Sequence, residues 1–473
     1  MRKSIMYYLF TALAVLFASC SNNDDTATAE SVVVAFENPN LSFETTDASK
    51  EVNLVFSTAA PQSGTLTLTY TTENALYGDD ADFITLPSGE SGTITLDFEA
   101  GATGVSFTFN KLQDALEGTT KSVTFSIDSI TLADAFANGN TDIVVSFTAT
   151  AAAAGTFSPE VGGPNEPNQV YLDLSSLTET AVQRDSWDLA FYNGSEFRVK
   201  LNGSIFMAAA QLDATDIDAV QEADVEALKA QVAVGTFDAA NTAYIDDVTG
   251  TVDGTAIAEI STTAEDNKVY LLNLGYKVGT ATADQGAVAL NGDSRGWMKV
   301  RILKGTDDYI VQYAALDATT HDEITIAKTD DATFNYFSFS TDALIDVAPA
   351  TGKWDMVFTT FTNEIPGFGS YAYADFIAIN NLDGVVAYEV DGSTIAFADF
   401  AASNVDSGSF TIDQRAIGSA WRNGGGPSSL PSIKEGVYYI VQDPDGNIYK
   451  VRFTALVSEG GERGHPALEF SLL

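Results

Sequence analysis

Trp187-Asp188-Leu189-Ala190-Phe191 recurs as Trp354-Asp355-Met356-Val357-Phe358, and this repeated W-D-x-x-F decides how the chain is read. Each copy follows a short aromatic and aliphatic run, Val170 to Leu174 in one case and Tyr336 to Phe339 in the other. A second matched pair lies further along. Tyr309-Ile310-Val311-Gln312-Tyr313-Ala314-Ala315-Leu316 corresponds to Tyr449-Lys450-Val451-Arg452-Phe453-Thr454-Ala455-Leu456. Gly296 and Gly436 each stand thirteen residues before the tyrosine that opens these strings, so the spacing repeats as well as the residues. One β-rich unit used twice, over about 168–330 and 331–473, accounts for all of it.

Strand alternation places the Trp, the third residue and the Phe of each W-D-x-x-F on one face and the Asp on the other. Trp187 and Trp354 are therefore expected to anchor a core, each indole N–H needing an acceptor. Asp188 and Asp355 either cap a neighbouring turn or take that indole proton. Asp445-Gly446, between Tyr438-Tyr439-Ile440-Val441 and the run Ile448 to Phe453, marks a hairpin. One helix is predicted, from about Asp216 to Val232. There Ile217, Val220, Val225, Leu228 and Val232 recur at helical spacing with acidic residues between them.

Upstream, from residue 31 to about 150, the pattern changes to short alternating strands. Leu66-Thr67-Leu68-Thr69-Tyr70 and Val105-Ser106-Phe107-Thr108-Phe109 expose every second residue, and Ser88-Gly89 and Ala100-Gly101 punctuate them. A sandwich of about seven strands is expected. Residues 151–167, opening in alanines and carrying Gly155, Gly162-Gly163 and three prolines, read as a linker. The whole is predicted to be all-β, a β-sandwich followed by a duplicated β-rich domain with one short helix.

The extreme N-terminus is an address. Arg2 and Lys3 precede an apolar run, Tyr7 to Phe17, too short to span a bilayer and suited to a signal peptide. It ends in Phe17-Ala18-Ser19-Cys20, which resembles a bacterial lipobox. That implies cleavage after residue 19 and acylation of Cys20. Residues 20–30, beginning Cys20-Ser21-Asn22-Asn23-Asp24-Asp25, resemble the acidic surface-export tether of Bacteroidetes lipoproteins. The expected location is the outer membrane, held by the lipid anchor and exposed at the cell surface.

Composition excludes several classes of function. Asp plus Glu number 65 against 23 Lys plus Arg, a formal charge of −42, so no nucleic acid is expected as partner. Two His and one Cys leave Cys₂His₂ zinc sites, disulfide frameworks and iron–sulfur clusters without ligands. Catalytic motifs such as G-x-S-x-G, a Walker loop or H-E-x-x-H are absent from the sequence, and the protein is expected not to be an enzyme.

Two families are then recognisable. Gly78-Asp79-Asp80-Ala81-Asp82-Phe83, followed by Pro87-Ser88-Gly89, resembles a Calx-beta-type domain. In that family carboxylates near such a turn hold calcium, so Asp79, Asp80 and Asp82 are candidate ligands; a solvated acidic turn is the alternative. The W-D-x-x-F strands, Arg198-Val199-Lys200-Leu201-Asn202-Gly203, Ala416-Ile417-Gly418-Ser419-Ala420-Trp421 and Tyr449-Lys450-Val451-Arg452-Phe453 together resemble the HmuY family of Bacteroidetes haem-binding lipoproteins. The resemblance runs from Asn168 to the C-terminus. It implies a surface protein that captures haem, or a related tetrapyrrole, and passes it to a TonB-dependent outer-membrane receptor.

Haem iron takes His, Met, Tyr or Cys as axial partners. The candidates are His321 and His465, which follow the repeated tyrosine strands, with Met298, and Tyr192 directly after the first W-D-x-x-F. Its counterpart in the second copy is Thr359, which does not ligate iron. Propionates require local cations. Arg295, Lys299 and Arg301 form the densest basic group, and Arg198 with Lys200 a second. Alternation puts Lys299 and Arg301 on one strand face and Met298 and Val300 on the other. The alternative function is a non-enzymatic cell-surface interaction protein, for a protein or glycan partner, whose fold has lost the haem ligands.

Overall fold

The computed structural model describes residues 31–473 apart from residues 46, 80, 118 and 426–428. Cys20, the acidic segment after it and Asp80 lie outside the described residues. Among the described residues no helix is long and apolar enough to cross a membrane. The chain divides into two compact units. Residues up to Asp114 and Thr120–Thr148 form one, and Ala115–Thr119 with Ala149–Leu473 form the other.

The first unit is a sandwich of two five-stranded sheets. One runs Phe136–Ala137, Val33–Phe36, Ser49–Phe56, Gly104–Lys111, Phe83–Leu86, and the other Asn40–Phe43, Asp142–Phe147, Lys121–Ile130, Gly64–Glu73, Thr93–Phe98. The alternating residues meet in an aromatic core. Phe83 stacks on Phe109 with ring centroids 4.9 Å apart, and Phe107 of one sheet meets Phe125 of the other, also at 4.9 Å.

The second unit has four main sheets, and the repeat is woven through them. Strand Asn168–Asp173 of the first repeat pairs with Met356–Ile365, the W-D-x-x-F strand of the second, with Val170 opposite Phe358 and Leu172 opposite Met356. Conversely, Phe334–Ser338 pairs with Leu189–Tyr192, with Phe337 opposite Leu189 and Asn335 opposite Phe191. Each repeat thus lends its opening strand to the sheet of the other. The two resulting four-stranded sheets each back onto a five-stranded sheet made of the later strands. Leu172, Met356, Phe358, Tyr449 and Val451 fill one of these sandwiches, and Leu189, Phe191, Val300, Tyr309 and Phe337 fill the other. Between the two four-stranded sheets lies a third apolar layer, with Tyr171, Trp187, Ala190, Tyr336, Val357 and Trp354.

That middle layer corrects the expected facing of the tryptophans. Leu189 and Phe191 point into an outer sandwich, but Trp187 joins Ala190 in the middle layer; Trp354 likewise joins Val357, away from Met356 and Phe358. The strands begin at Leu189 and Met356, so Trp and Asp precede them and escape the alternation. The aspartates serve as caps. The Asp188 carboxylate accepts the Phe339 N–H at 2.7 Å, and the Asp355 carboxylate accepts the Leu174 N–H at 2.7 Å. The Trp187 indole N–H goes instead to the side-chain oxygen of Gln169, at 2.8 Å.

Two further expectations change. Residues 151–167, read as a linker, are built into the second unit. Strand Ala154–Phe157 pairs along Arg463–Leu472, and Phe157 and Val161 are buried in the adjoining core. Backbone pairing at a free sheet edge needs few apolar side chains, which is why composition alone misread the segment. The helix spans Glu222–Lys229 only. Asp216 turns the chain before it by accepting the Asp218 N–H at 3.1 Å, a side-chain bond that competes with helix. Ile217, Val220 and Val232 are buried all the same, against strand Val269–Asn273.

Candidate functional site

The residues singled out for haem do not gather in one place. The Nδ1 of His321 lies 2.9 Å from the Asp218 carboxylate, ahead of the short helix. His465 lies near the start of the last strand, Arg463–Leu472, with its Nε2 3.3 Å from Glu462 in the turn before it. Met298 is half-buried against the core shared by Val300 and Ile302, on the face that alternation predicted. Tyr192 packs its ring on Phe334, at 5.5 Å between centroids, while its carbonyl accepts the Tyr309 hydroxyl at 2.7 Å.

The basic candidates are occupied. Arg295 donates to the Asp188 carboxylate at 2.5 Å, with both side chains almost completely buried. Lys299, expected to be open to a propionate, is fully buried. Its ammonium donates to the Val220 carbonyl at 2.6 Å and the Ala318 carbonyl at 2.7 Å. Lys299 is thus covered by the segment that leads into the helix. Arg301 donates to the carbonyls of Asn267 and Ala264, at 3.0 and 2.7 Å. Arg198 donates to the Asp253 carbonyl and to Glu259, both at 3.2 Å.

In the first unit, Asp82 is also spoken for. Its carboxylate takes the Lys121 ammonium at 2.5 Å and the Leu76 N–H at 2.7 Å, leaving it little capacity for a cation. Asp79 is exposed. Among the described residues, no group of three or more His, Cys, Asp or Glu is placed to hold a metal.

Two hollows among the described residues of the second unit stand out. The larger is an open cleft of about 670 Å³, within the size range of small-molecule sites, walled by Gly162-Gly163-Pro164, Thr280 to Ala283, and Gly464 to Ala467. His465 lines it and His321 does not, so the two imidazoles do not face one another across it. The glycines let the walls approach closely. A side chain at Gly464, where φ is 82°, would stand 2.1 Å from the Gly163 carbonyl oxygen.

The second hollow lies in the middle layer between the exchanged sheets. It consists of a cavity of about 150 Å³ and a neighbouring one of about 110 Å³, with Lys200, Phe334, Tyr336, Val357, Ala378 and Gln414 lining both. Lys200 sits between Val199 and Leu201, whose side chains enter the adjoining core. Its own side chain points the other way, and burial lowers its pKa. Beside it, Asp246 has its carboxyl pushed up to about 6 by burial, while its two oxygens accept the N–H groups of Leu201 and Ala256 at 2.7 and 2.9 Å. Sequence reading singled out Lys200 beside Arg198 but not the hollow that it lines. The alternation around Lys200 was legible, but the face it occupies reads as solvent until the other repeat's sheet covers it.

A further buried cluster holds the second unit together. Asp375 accepts from Arg463 at 2.5 Å and forms an ion pair with Arg422 at 3.0 Å, and its own N–H donates to Glu166. Burial, followed by the nearby Asp375 charge, pushes the Glu166 carboxyl well above the usual range.

Comparison with known proteins bears on this unit directly. The family model described as "HmuY protein" matches residues 165–314 and 330–470, once per repeat. Among curated proteins none matches the chain in sequence. Among solved structures, a putative carbohydrate binding protein from Bacteroides ovatus ATCC 8483 shares 11% identity over 74% of this chain and 89% of its own, with a TM-score of 0.20. A two-domain protein with unknown function from Bacteroides fragilis NCTC 9343 shares 8% over 73% and 93%, with a TM-score of 0.19. The apo form of the Calx CBD1 domain shares 14% over 25% and 96%, with a TM-score of 0.20.

Proposed function

The chain belongs to the HmuY protein family, and from that premise we propose a surface lipoprotein that binds haem or a related tetrapyrrole. In this reading the protein is a carrier, not an enzyme, tethered through Cys20 and delivering its cargo to a TonB-dependent outer-membrane receptor. The observation that carries it is the cleft at His465. Its volume of about 670 Å³ suits a molecule of that size, and an imidazole stands at its rim with 44% of the side chain exposed. An exposed imidazole held only by Glu462 is free to turn toward iron, for which neutral nitrogen is a good ligand. Among the described residues the walls carry no Lys or Arg, so propionates would point outward to solvent.

The test is a hemin titration of the purified protein, oxidised and reduced, followed in the Soret region. A sharpened band at micromolar protein is expected, and His465→Ala should remove it while His321→Ala leaves it in place. A silent titration overturns the reading.

A second reading has its own support. Tyr192, Met298 and His321 are each engaged in packing or hydrogen bonds, which fits an interaction protein that has kept the fold and lost its iron ligands. A silent hemin titration would favour it.

A further inference from the structure

The hollow between the exchanged sheets mixes aromatic walls with donors and acceptors of both charges. The larger chamber is lined by the ammonium of Lys200, the carboxylates of Asp246 and Asp247 and the amide of Gln414. Lys200 is half-buried, and the two acids offset its charge. An anion in this chamber would meet the carboxylates and a cation would meet the ammonium, each a like charge at close quarters. A neutral molecule that both donates and accepts hydrogen bonds meets every one of these groups favourably.

Two tyrosines add an independent sign. Tyr171 and Tyr336 both line the smaller chamber, and neither hydroxyl is hydrogen-bonded to a protein group among the described residues. Tyr171 is only 5% exposed. Buried hydroxyls are nearly always paired, and one left unpaired is destabilising, so these two call for a partner. The rings around them set its shape. Trp187 stands edge-on to Tyr336, their planes at 79°, and Trp354 edge-on to Tyr171 at 84°. Rings so arranged form corners, which suit a thick puckered ring better than a flat one that needs parallel walls. At about 150 Å³ the larger chamber has the size that admits one six-membered ring, and the smaller, about 110 Å³, shares Lys200, Tyr336 and Gln414 with it.

We propose that this hollow binds a neutral pyranose sugar, its C–H face against the aromatic walls and its hydroxyls on Tyr171, Tyr336, Lys200 and Asp247. The C–H hydrogens of such a ring carry the slight positive charge that the negative face of an aromatic ring attracts. Its hydroxyls donate to the carboxylate and accept from the ammonium, and bonds to charged groups are the stronger kind. The proposal does not depend on haem binding, since these chambers share no lining residue with the His465 cleft.

The probes are the methyl α-pyranosides of glucose, galactose and mannose, titrated into the full protein against a glycerol control. Tryptophan fluorescence is the readout, because Trp187 lines the larger chamber and Trp354 the smaller. A saturable change is expected, with the best and worst epimers differing at least about tenfold, the fold-change of one hydrogen bond made or lost. Tyr336→Phe deletes one unpaired hydroxyl. It should weaken the best sugar about tenfold while the melting temperature and the hemin titration stay as in the parent. No saturation with any of the three, or equal affinity for all three, overturns the proposal. Saturation by phenol where no sugar saturates also overturns it and marks the hollow as a site for flat arenes. So does undiminished sugar binding by the double variant Tyr171→Phe, Tyr336→Phe. The epimer comparison needs no variant and stands even where a variant fails to fold.

Discussion

Asp188 and Arg295 form an ion pair at 2.5 Å inside the first repeat, with 0% and 7% of their side chains exposed. Asp355, at the same place in the second repeat, is buried with no such cation among the described residues, and Glu435 stands where repeat spacing would put the arginine. Two copies of one cap have therefore diverged in their electrostatics while keeping the same backbone hydrogen bond.

Removing the cation in the first repeat should be expensive. Arg295→Met leaves the buried Asp188 carboxylate without its cation, and removal of one member of such a pair costs about 3–5 kcal/mol. Urea denaturation of the variant should show that loss in the second unit's transition. A cost below about 1 kcal/mol, the level of an exposed pair, would contradict the burial argument.

The second repeat predicts the opposite response. Burial, followed by the charges of Asp173 and Asp443, pushes the Asp355 carboxyl well above the usual carboxylate range. The folded state thus holds a proton that the unfolded chain gives up near pH 4. Its contribution to stability is fully present at low pH and falls as pH rises above that point. Asp246, pushed up to about 6, adds the same sign between roughly pH 4 and 6. Asp355→Asn keeps an oxygen for the Leu174 N–H and removes the ionisation. Melting temperature measured from pH 4 to 8 should fall less steeply in the variant than in the parent, and an unchanged slope would remove Asp355 as a cause.

What was legible in the sequence is what local pattern controls. The all-β class, the doubled W-D-x-x-F and the Asp445-Gly446 hairpin needed only alternation, spacing and turn chemistry, and strands Val437–Gln442 and Ile448–Val457 pair around that turn. The exchange of opening strands was not legible, because Val170 to Leu174 pairs equally well by pattern with either W-D-x-x-F strand. Everything that depends on the exchange was lost with it. Trp187 faces the middle layer because a second sheet waits there, and Lys200 is half-buried at the hollow beside that same sheet. Arg295 and Lys299 read as a basic stripe because the sequence does not show which carboxylate or carbonyl the fold brings to each.

The strand exchange itself makes a prediction about dissection. A chain ending near residue 330 leaves Asn168–Asp173 without Met356–Ile365, and Leu189–Tyr192 without Phe334–Ser338. Val170 and Leu172, fully buried in the intact unit, would then face solvent together with an open sheet edge. Because the two repeats are alike, a second copy of the same half offers the missing strand, and a closed two-fold dimer satisfies both edges. Residues 165–330 produced alone should therefore be unfolded or dimeric in sedimentation experiments, with the dimer dissociating and unfolding in one concentration-dependent transition. A monomeric half that melts cooperatively would mean that each repeat closes its own sheet, and the pairing of Val170 with Phe358 would then be incidental to the fold.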